Sequence, residues 1–206
     1  MIQSCKPVKF AQSMGTDCDF RQFKYVPQYL DSTRADKLLN LILEKTKWET
    51  EILRLYGKSI PAPRLTAWFS DPLVSYRYSG KERFGKPLTT ELHQLRCALK
   101  GSLNSAFNFV LANLYRDGND YVGWHADDES DLGNYPLIAS ISLGASRRFR
   151  VRHNTRGVIE FIDLTHGSLL IMYGNSQLNF KHCIAKTKKQ VAKRINLTFR
   201  TITQKI

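Results

Sequence analysis

Arg194-Ile195-Asn196-Leu197-Thr198-Phe199-Arg200 alternates polar and apolar side chains without a fault. Successive side chains of a strand leave opposite faces, so an extended chain here places Ile195, Leu197 and Phe199 on one face and Arg194, Asn196, Thr198 and Arg200 on the other. On one reading this is an edge strand with a wet polar face. On the other the polar face turns inward and buries two guanidinium groups, each at a cost of several kcal/mol unless an anion answers it. A dicarboxylate would be such an answer, because Arg pairs with carboxylate through a bidentate fork.

Working outward, the stretches FNFVLANLY (107–115), LIASISLG (137–144), RRFRVRH (147–153), GVIEFIDL (157–164) and GSLLIMYG (167–174) are each bounded by Gly, Asn, Asp or Pro. With the last strand they predict six or more short strands. No helix-length pattern separates them, which favours a sandwich or jelly roll over a parallel α/β sheet. Ahead of them, Asp31-Ser32 can cap a helix over roughly 33–47 that carries Leu38, Leu39, Leu41 and Ile42. Thr89 can cap a second, with Leu92, Leu95 and Leu99 on one stripe facing a sheet and Gly101 as a left-handed stop. Between the helices, Gly57-Lys58 signals a turn, and Pro61 and Pro63 read as breakers, so short strands and loops are expected over 51–70. Residues 1–30 show no sustained period and contain Pro7, Gly15 and Pro27, which suggests an irregular or partly extended arm. The expected class is mainly β with flanking helices (α+β), in a jelly roll.

The 206 residues, with 42% apolar and 11% aromatic side chains, suffice for one domain with a sizeable core. A net charge of +13 attracts polyanions, nucleic acid first and an anionic membrane surface second. The start has no apolar stretch of signal-peptide length, and no run reaches the roughly 18 apolar residues of a spanning helix. The expectation is an intracellular protein, cytoplasmic in a bacterium or nuclear in a eukaryote, monomeric and without a membrane partner. Cys5, Cys18, Cys97 and Cys183 form no CxxC pair, so reduced thiols are expected rather than a zinc ribbon or disulfide framework.

His125 and Asp127 stand two apart, so on an extended chain both side chains can meet one cation. A third ligand must come from His93, His153, His166 or His182. His93 lies in the Leu-striped helix, and His166 sits in a turn, where a local backbone hydrogen bond is the commoner role. His182 precedes the last strand by about a dozen residues, where a roll folded on itself returns to His125. Two imidazoles and one carboxylate on one face of a metal suit a non-haem Fe(II) oxygenase, and zinc hydrolysis would accept the same ligands.

Asn113-Leu114-Tyr115, His125-Ala126-Asp127-Asp128-Glu129, His166-Gly167-Ser168-Leu169-Leu170, His182 and Arg194 to Arg200 together resemble the AlkB family of nucleic-acid dealkylating dioxygenases, especially its duplex-acting members. The resemblance covers roughly residues 55–202. It implies a double-stranded β-helix with Fe(II) held by His125, Asp127 and His182. It also implies 2-oxoglutarate and dioxygen as cosubstrates, with Arg194 and Tyr115 on the distal carboxylate. Asn113 and Arg200 would lie near the chelating end, and Asn196 and Thr198 on the same face. The implied reaction is oxidative demethylation of bases such as 1-methyladenine and 3-methylcytosine, releasing formaldehyde and succinate. DNA, double- or single-stranded, is the implied substrate, with RNA as a second. The chain is then a single catalytic domain over 1–206. About 1–86 would be an N-terminal extension and nucleotide-recognition segment, and about 87–206 the β-helix core.

A base inside a duplex must be flipped out to be reached. By resemblance Tyr78, between Tyr76 and Ser79, stacks on it, Glu129 reads its exocyclic nitrogen, Tyr56 fills the gap as a wedge, and Arg64 lies near the opened pair. An ordinary surface position is the alternative for Arg64, and a solvated charge is the plainer reading for Asp128 and Asp131. Arg147, Arg148, Arg150 and Arg152, and Lys186, Lys188, Lys189 and Lys193, are candidate phosphate contacts. Two other readings stay open: an oxygenase acting on a protein or small molecule, and an inactive nucleic-acid-binding module.

Overall fold

A computed structural model describes residues 12–13, 18–55, 57–78 and 81–203. Tyr56 and Ser79 fall outside them, and Tyr78 is described in its backbone alone. Two antiparallel sheets form the body of the protein. The larger runs, in spatial order, β1 (Gln12–Ser13), β2 (Phe23–Val26), β13 (Ser168–Met172), β10 (Ile138–Gly144), β15 (Arg194–Arg200), β8 (Phe109–Tyr115), β4 (Lys58–Ser70) and β3 (Glu49–Leu55), with β7 (Lys86–Pro87) parallel to β4. The smaller runs β12 (Ile159–Leu164), β11 (Arg147–His153), β14 (Phe180–Ile184) and β9 (Val122–His125). A ribbon of β5 (Ser75–Tyr78) and β6 (Lys81–Phe84) stands apart. From β8 to β15 the chain changes sheet at every connection except the β11–β12 hairpin, which is the wrapping of a jelly roll.

β15 lies between β10 and β8 and is therefore central, not an edge. Its two faces have separate uses. Ile195, Leu197 and Phe199 pack outward with Leu38 and Ile42 of α1 (Ser32–Lys45) and with Leu92, Leu95 and Leu99 of α2 (Thr90–Leu103). Each such side chain contributes about 1.5–3 kcal/mol by leaving water. Its polar face turns toward the smaller sheet, where Phe149, Val151, Phe180 and Ile184 meet Leu170 and Met172 of the larger. Asp31 caps α1 by accepting from the Arg34 amide at 2.8 Å, and Thr89 caps α2.

Four local features differ from expectation. β4 runs thirteen residues straight through Pro61 and Pro63. Its ladder to β8 begins at Leu65, so the prolines sit where β4 has β3 on one side only and a missing N–H breaks no second ladder. α2 continues through Gly101 to Leu103, and Asn104, at φ 49° and ψ 43°, supplies the left-handed cap. Within the arm expected to be irregular or partly extended, β2 is a regular strand that pairs with β13 and seats Phe23 and Tyr25 in the core. Finally, β9 and β14 are four and five residues long and were not foreseen as strands. No helix among the described residues is long and apolar enough to cross a membrane.

Candidate active site

β9 and β14 are neighbours, and their register sets His182 opposite His125 with ring centroids 4.3 Å apart. Asp127 follows just beyond β9. Its backbone N–H donates to Oε1 of Gln177 at 2.9 Å, from the short helix α3 (Ser176–Asn179), which pins the turn that aims its carboxylate. One ligand atom from each of His125, Asp127 and His182 lies within 4.8 Å of the other two. His125 Nδ1 donates to the Gly123 carbonyl at 2.8 Å, which fixes that tautomer and leaves Nε2 with a free lone pair. Burial holds both imidazoles neutral, lowering His125 and bringing His182 down to about 3. Two neutral imidazoles and one ionised carboxylate converging in this way fit iron(II), and they leave one side of the ion open.

Asp127 also answers Arg200. Arg200 Nη2 lies 2.9 Å from Asp127 Oδ1, with both side chains 3% exposed. Burial alone would raise the Asp127 carboxyl, but Arg200 and the two imidazoles outweigh it and hold the group far below the usual carboxylate range. Burial likewise opposes the Arg200 charge, and Asp127 more than restores it.

Arg194, six residues along the same face, has no such partner. It is fully buried; Nη2 donates to Ser142 Oγ at 2.9 Å and the guanidinium lies 5.1 Å from the Tyr115 ring centre. Its Nε and Nη1 meet no acceptor among the described residues, and burial lowers its pKa. Between the two arginines, Asn196 Nδ2 donates to Ser140 Oγ at 2.6 Å, Thr198 Oγ1 donates to Asn196 Oδ1 at 2.9 Å, and Arg64 Nε donates to Asn113 Oδ1 at 2.7 Å. Arg64, Asn113, Tyr115, Ser140, Arg194, Asn196, Thr198 and Arg200 line one cavity with His125, Asp127 and His182. Arg200 Nε and Nη1 are likewise without an acceptor among the described residues, but Arg200 has the Asp127 carboxylate beside it. A ligand with a carboxylate at one end and chelating oxygens at the other, such as 2-oxoglutarate, fits the unanswered charge at the Arg194 end and the metal ligands at the Arg200 end.

Beside Arg200, whose guanidinium lies 5.4 Å from its ring centre, Tyr76 is fully buried and its hydroxyl donates to Glu129 Oε2 at 2.6 Å. Burial raises the pKa of both groups. The Arg77 amide donates to Asp131 Oδ2 at 2.8 Å, so β5 is held against the segment that carries Glu129.

Several expectations need correction. Arg64 is buried in the cavity wall rather than on the surface. Asp131 fastens β5 and is no idle solvated charge, whereas Asp128 is exposed. Arg147 does not face outward with Arg148: it is 4% exposed, and its Nη1 and Nη2 donate to the carbonyls of Asp117, Asp120 and Ala185. His166 makes a backbone hydrogen bond, accepting from the Gly144 amide at 2.8 Å, but across 22 residues and not within its own turn. Ser140, Ser142 and Gln177 went unremarked. The two serines were readable, since they alternate with Ala139, Ile141 and Leu143 as the polar residues of β15 do. Gln177 gave no signal, because its partner is a backbone amide fifty residues away.

The sequence matches the family described as the 2OG-Fe(II) oxygenase superfamily over residues 22–200. It is 34% identical to alpha-ketoglutarate-dependent dioxygenase alkB homolog 3 of Rattus norvegicus over 85% of this chain and 62% of that protein. It is also 34% identical to DNA oxidative demethylase ALKBH2 of Homo sapiens, over 91% of this chain and 74% of that one. The chain thus spans less than two thirds of the length of the rat protein. Among solved structures, OsALKBH1 superposes with a TM-score of 0.61 over 87% of this chain and 98% of that one at 18% identity, a likeness of fold.

Proposed function

The chain belongs to the 2OG-Fe(II) oxygenase superfamily and, within it, to the AlkB family, and on that premise we propose that it removes N-methyl groups oxidatively from bases in DNA, with RNA as a second substrate. The observation that carries the reading is the cavity between the sheets, with a His-Asp-His cluster at one end and, at the other, a buried arginine that meets no carboxylate among the described residues. When bound, iron(II) with 2-oxoglutarate and dioxygen supplies oxidation of the methyl carbon, whose loss as formaldehyde restores the base.

In this reading His125, Asp127 and His182 hold the metal, and Arg194, with Tyr115 and Ser142 beside it, binds the distal carboxylate of 2-oxoglutarate. Asn113, Asn196, Thr198 and Arg200 shape the cavity around the rest of it. Glu129, its carboxylate oriented by the Tyr76 hydroxyl, faces a cationic methylated base such as 1-methyladenine or 3-methylcytosine. Tyr76 is therefore a positioning residue. Arg64, held by Asn113, lies too deep to meet the opened pair from the surface and joins the cavity wall instead. Tyr78 as stacking partner, Ser79 beside it and Tyr56 as wedge complete the proposal from the sequence. The protein acts as a monomer and one catalytic domain, with the stretch to about residue 86 serving base recognition.

The test is incubation with Fe(II), 2-oxoglutarate and a methylated oligonucleotide, scored for formaldehyde and restored base. Succinate formation without base repair on DNA or RNA would move the assignment to a protein or small-molecule oxygenase. Tight DNA binding with neither product would make the chain a binding module.

A further inference from the structure

We infer that the outer face of the smaller sheet, the side turned away from the cavity, is a platform for single-stranded nucleic acid. Bases stack there on Phe161 and Trp124, and phosphates meet Arg150, Lys186 and Lys189. On β11, Phe149 and Val151 point into the core, so Arg148, Arg150 and Arg152 project from the opposite face. The β11–β12 register sets Arg150 beside Phe161, Arg152 beside Ile159 and Arg148 beside Asp163. Phe161 is 57% exposed and Ile159 41%.

Rings and cations interleave across this face. The Arg148 guanidinium lies 4.1 Å from the centre of the Phe161 ring, Arg150 and Arg152 lie 5.5 and 4.8 Å from Trp124, and the Lys186 ammonium lies 4.8 Å from Tyr121. Arg148, Arg150, Lys186 and Lys189 border one groove together with Phe161 and Asp163. The Asp163 carboxylate is already taken by Arg148 through a fork of 2.9 and 3.1 Å, so the remaining cations dominate the groove. Solubility accounts for the charges but not for large rings on a sheet face. An acidic peptide would use the cations and leave the rings idle. A nucleic-acid strand has regular anions and flat π faces, and groups of this kind bind it without regard to sequence.

Trp124 and His125 are adjacent in β9, yet Trp124 lies with the outer arginines while His125 lines the cavity. The platform and the cavity are thus two faces of the same four strands. The inference goes beyond the proposed demethylation, since it requires neither lesion nor iron.

The test is fluorescence anisotropy of the full chain without metal, with a labelled, unmodified oligothymidine. Phe161→Ala and Lys189→Glu, both at exposed positions, are each expected to weaken binding at least about fivefold with unchanged melting temperature. The quench of tryptophan fluorescence by oligothymidine should shrink in Trp124→Phe. Unchanged affinity in both exposed variants overturns the platform. Competition by polyglutamate or by phosphatidylserine vesicles as strong as that by unlabelled oligothymidine overturns the choice of partner. Failure of the demethylation assay leaves these readings intact, so the two proposals fall separately.

Discussion

Arg194 and Arg200 stand at the two ends of one strand, on one face, equally buried, and they live in opposite circumstances. Arg200 has its anion built into the protein in Asp127. Arg194 has the Ser142 hydroxyl at 2.9 Å and the Tyr115 ring at 5.1 Å, and meets no carboxylate among the described residues. A buried guanidinium paired within the chain is a structural element whose removal exposes its partner's charge. One that lacks an anion is held at a cost which only a ligand can relieve. The same residue type, on the same strand, thus marks the metal end in one case and the cosubstrate end in the other.

The largest expected effect comes from breaking the self-contained end. Asp127→Ala removes a proposed metal ligand and strands the Arg200 charge, so turnover should vanish and the metal-free protein should lose about 3–5 kcal/mol of unfolding stability. Denaturant titration reads the second effect, and a stability equal to that of the parent would mean that Arg200 is not held by Asp127. Arg194→Met should behave in the opposite way. The metal-free protein keeps its stability or gains some, while KM for 2-oxoglutarate rises about a hundredfold. 2-oxoglutarate that raises the melting temperature of the parent should fail to raise that of Arg194→Met. Equal protection of both would remove Arg194 from the carboxylate site.

A smaller effect sharpens the Asp127 end. Gln177→Leu deletes the acceptor of the buried Asp127 amide, which should cost about 1–3 kcal/mol and weaken iron(II) binding about tenfold or more by freeing the carboxylate. Metal titration and unfolding together check it. A loss of stability with unaltered iron affinity would make Gln177 a packing residue and nothing more.

Much of this contrast was legible in the sequence. The faultless alternation of Arg194 to Arg200 gave both the strand and the shared face of the two arginines, because a period of two is a local property. His125, Asp127 and His182 were picked out, although the short strands β9 and β14 that bring the imidazoles together were not. Four or five residues of mixed burial carry too little period to be recognised, and their pairing is decided by the fold around them. For the same reason the sequence does not tell the buried Arg147 from its exposed neighbours, or Arg64 in the cavity wall from a surface arginine. An arginine's stem and head are the same in a wall as on a surface, and only the carbonyls around Arg147 and the Asn113 oxygen beside Arg64 tell which it is.

The finest distinction between the two ends is their response to acid. The Arg200 end holds His125 and His182, whereas no histidine accompanies Arg194 in its contacts with Ser142 and Tyr115. The His182 pKa falls from 6.5 to about 3 on burial, so between those values the unfolded chain holds a proton that the folded chain refuses. Stability therefore rises with pH in that window and falls on acidification, by up to about 1.4 kcal/mol per pH unit for the one group. His125, also lowered, adds in the same sense. Glu129, raised by burial, takes up its proton first in the folded state and works in the opposite sense. Comparing a variant with its parent isolates the imidazole: His182→Gln should flatten the pH dependence of the metal-free protein below pH 6.5, and Arg194→Met should leave it as steep as before. Identical slopes in the parent and His182→Gln would show that the imidazole is charged in the folded protein, and the metal-ligand assignment would fall with it.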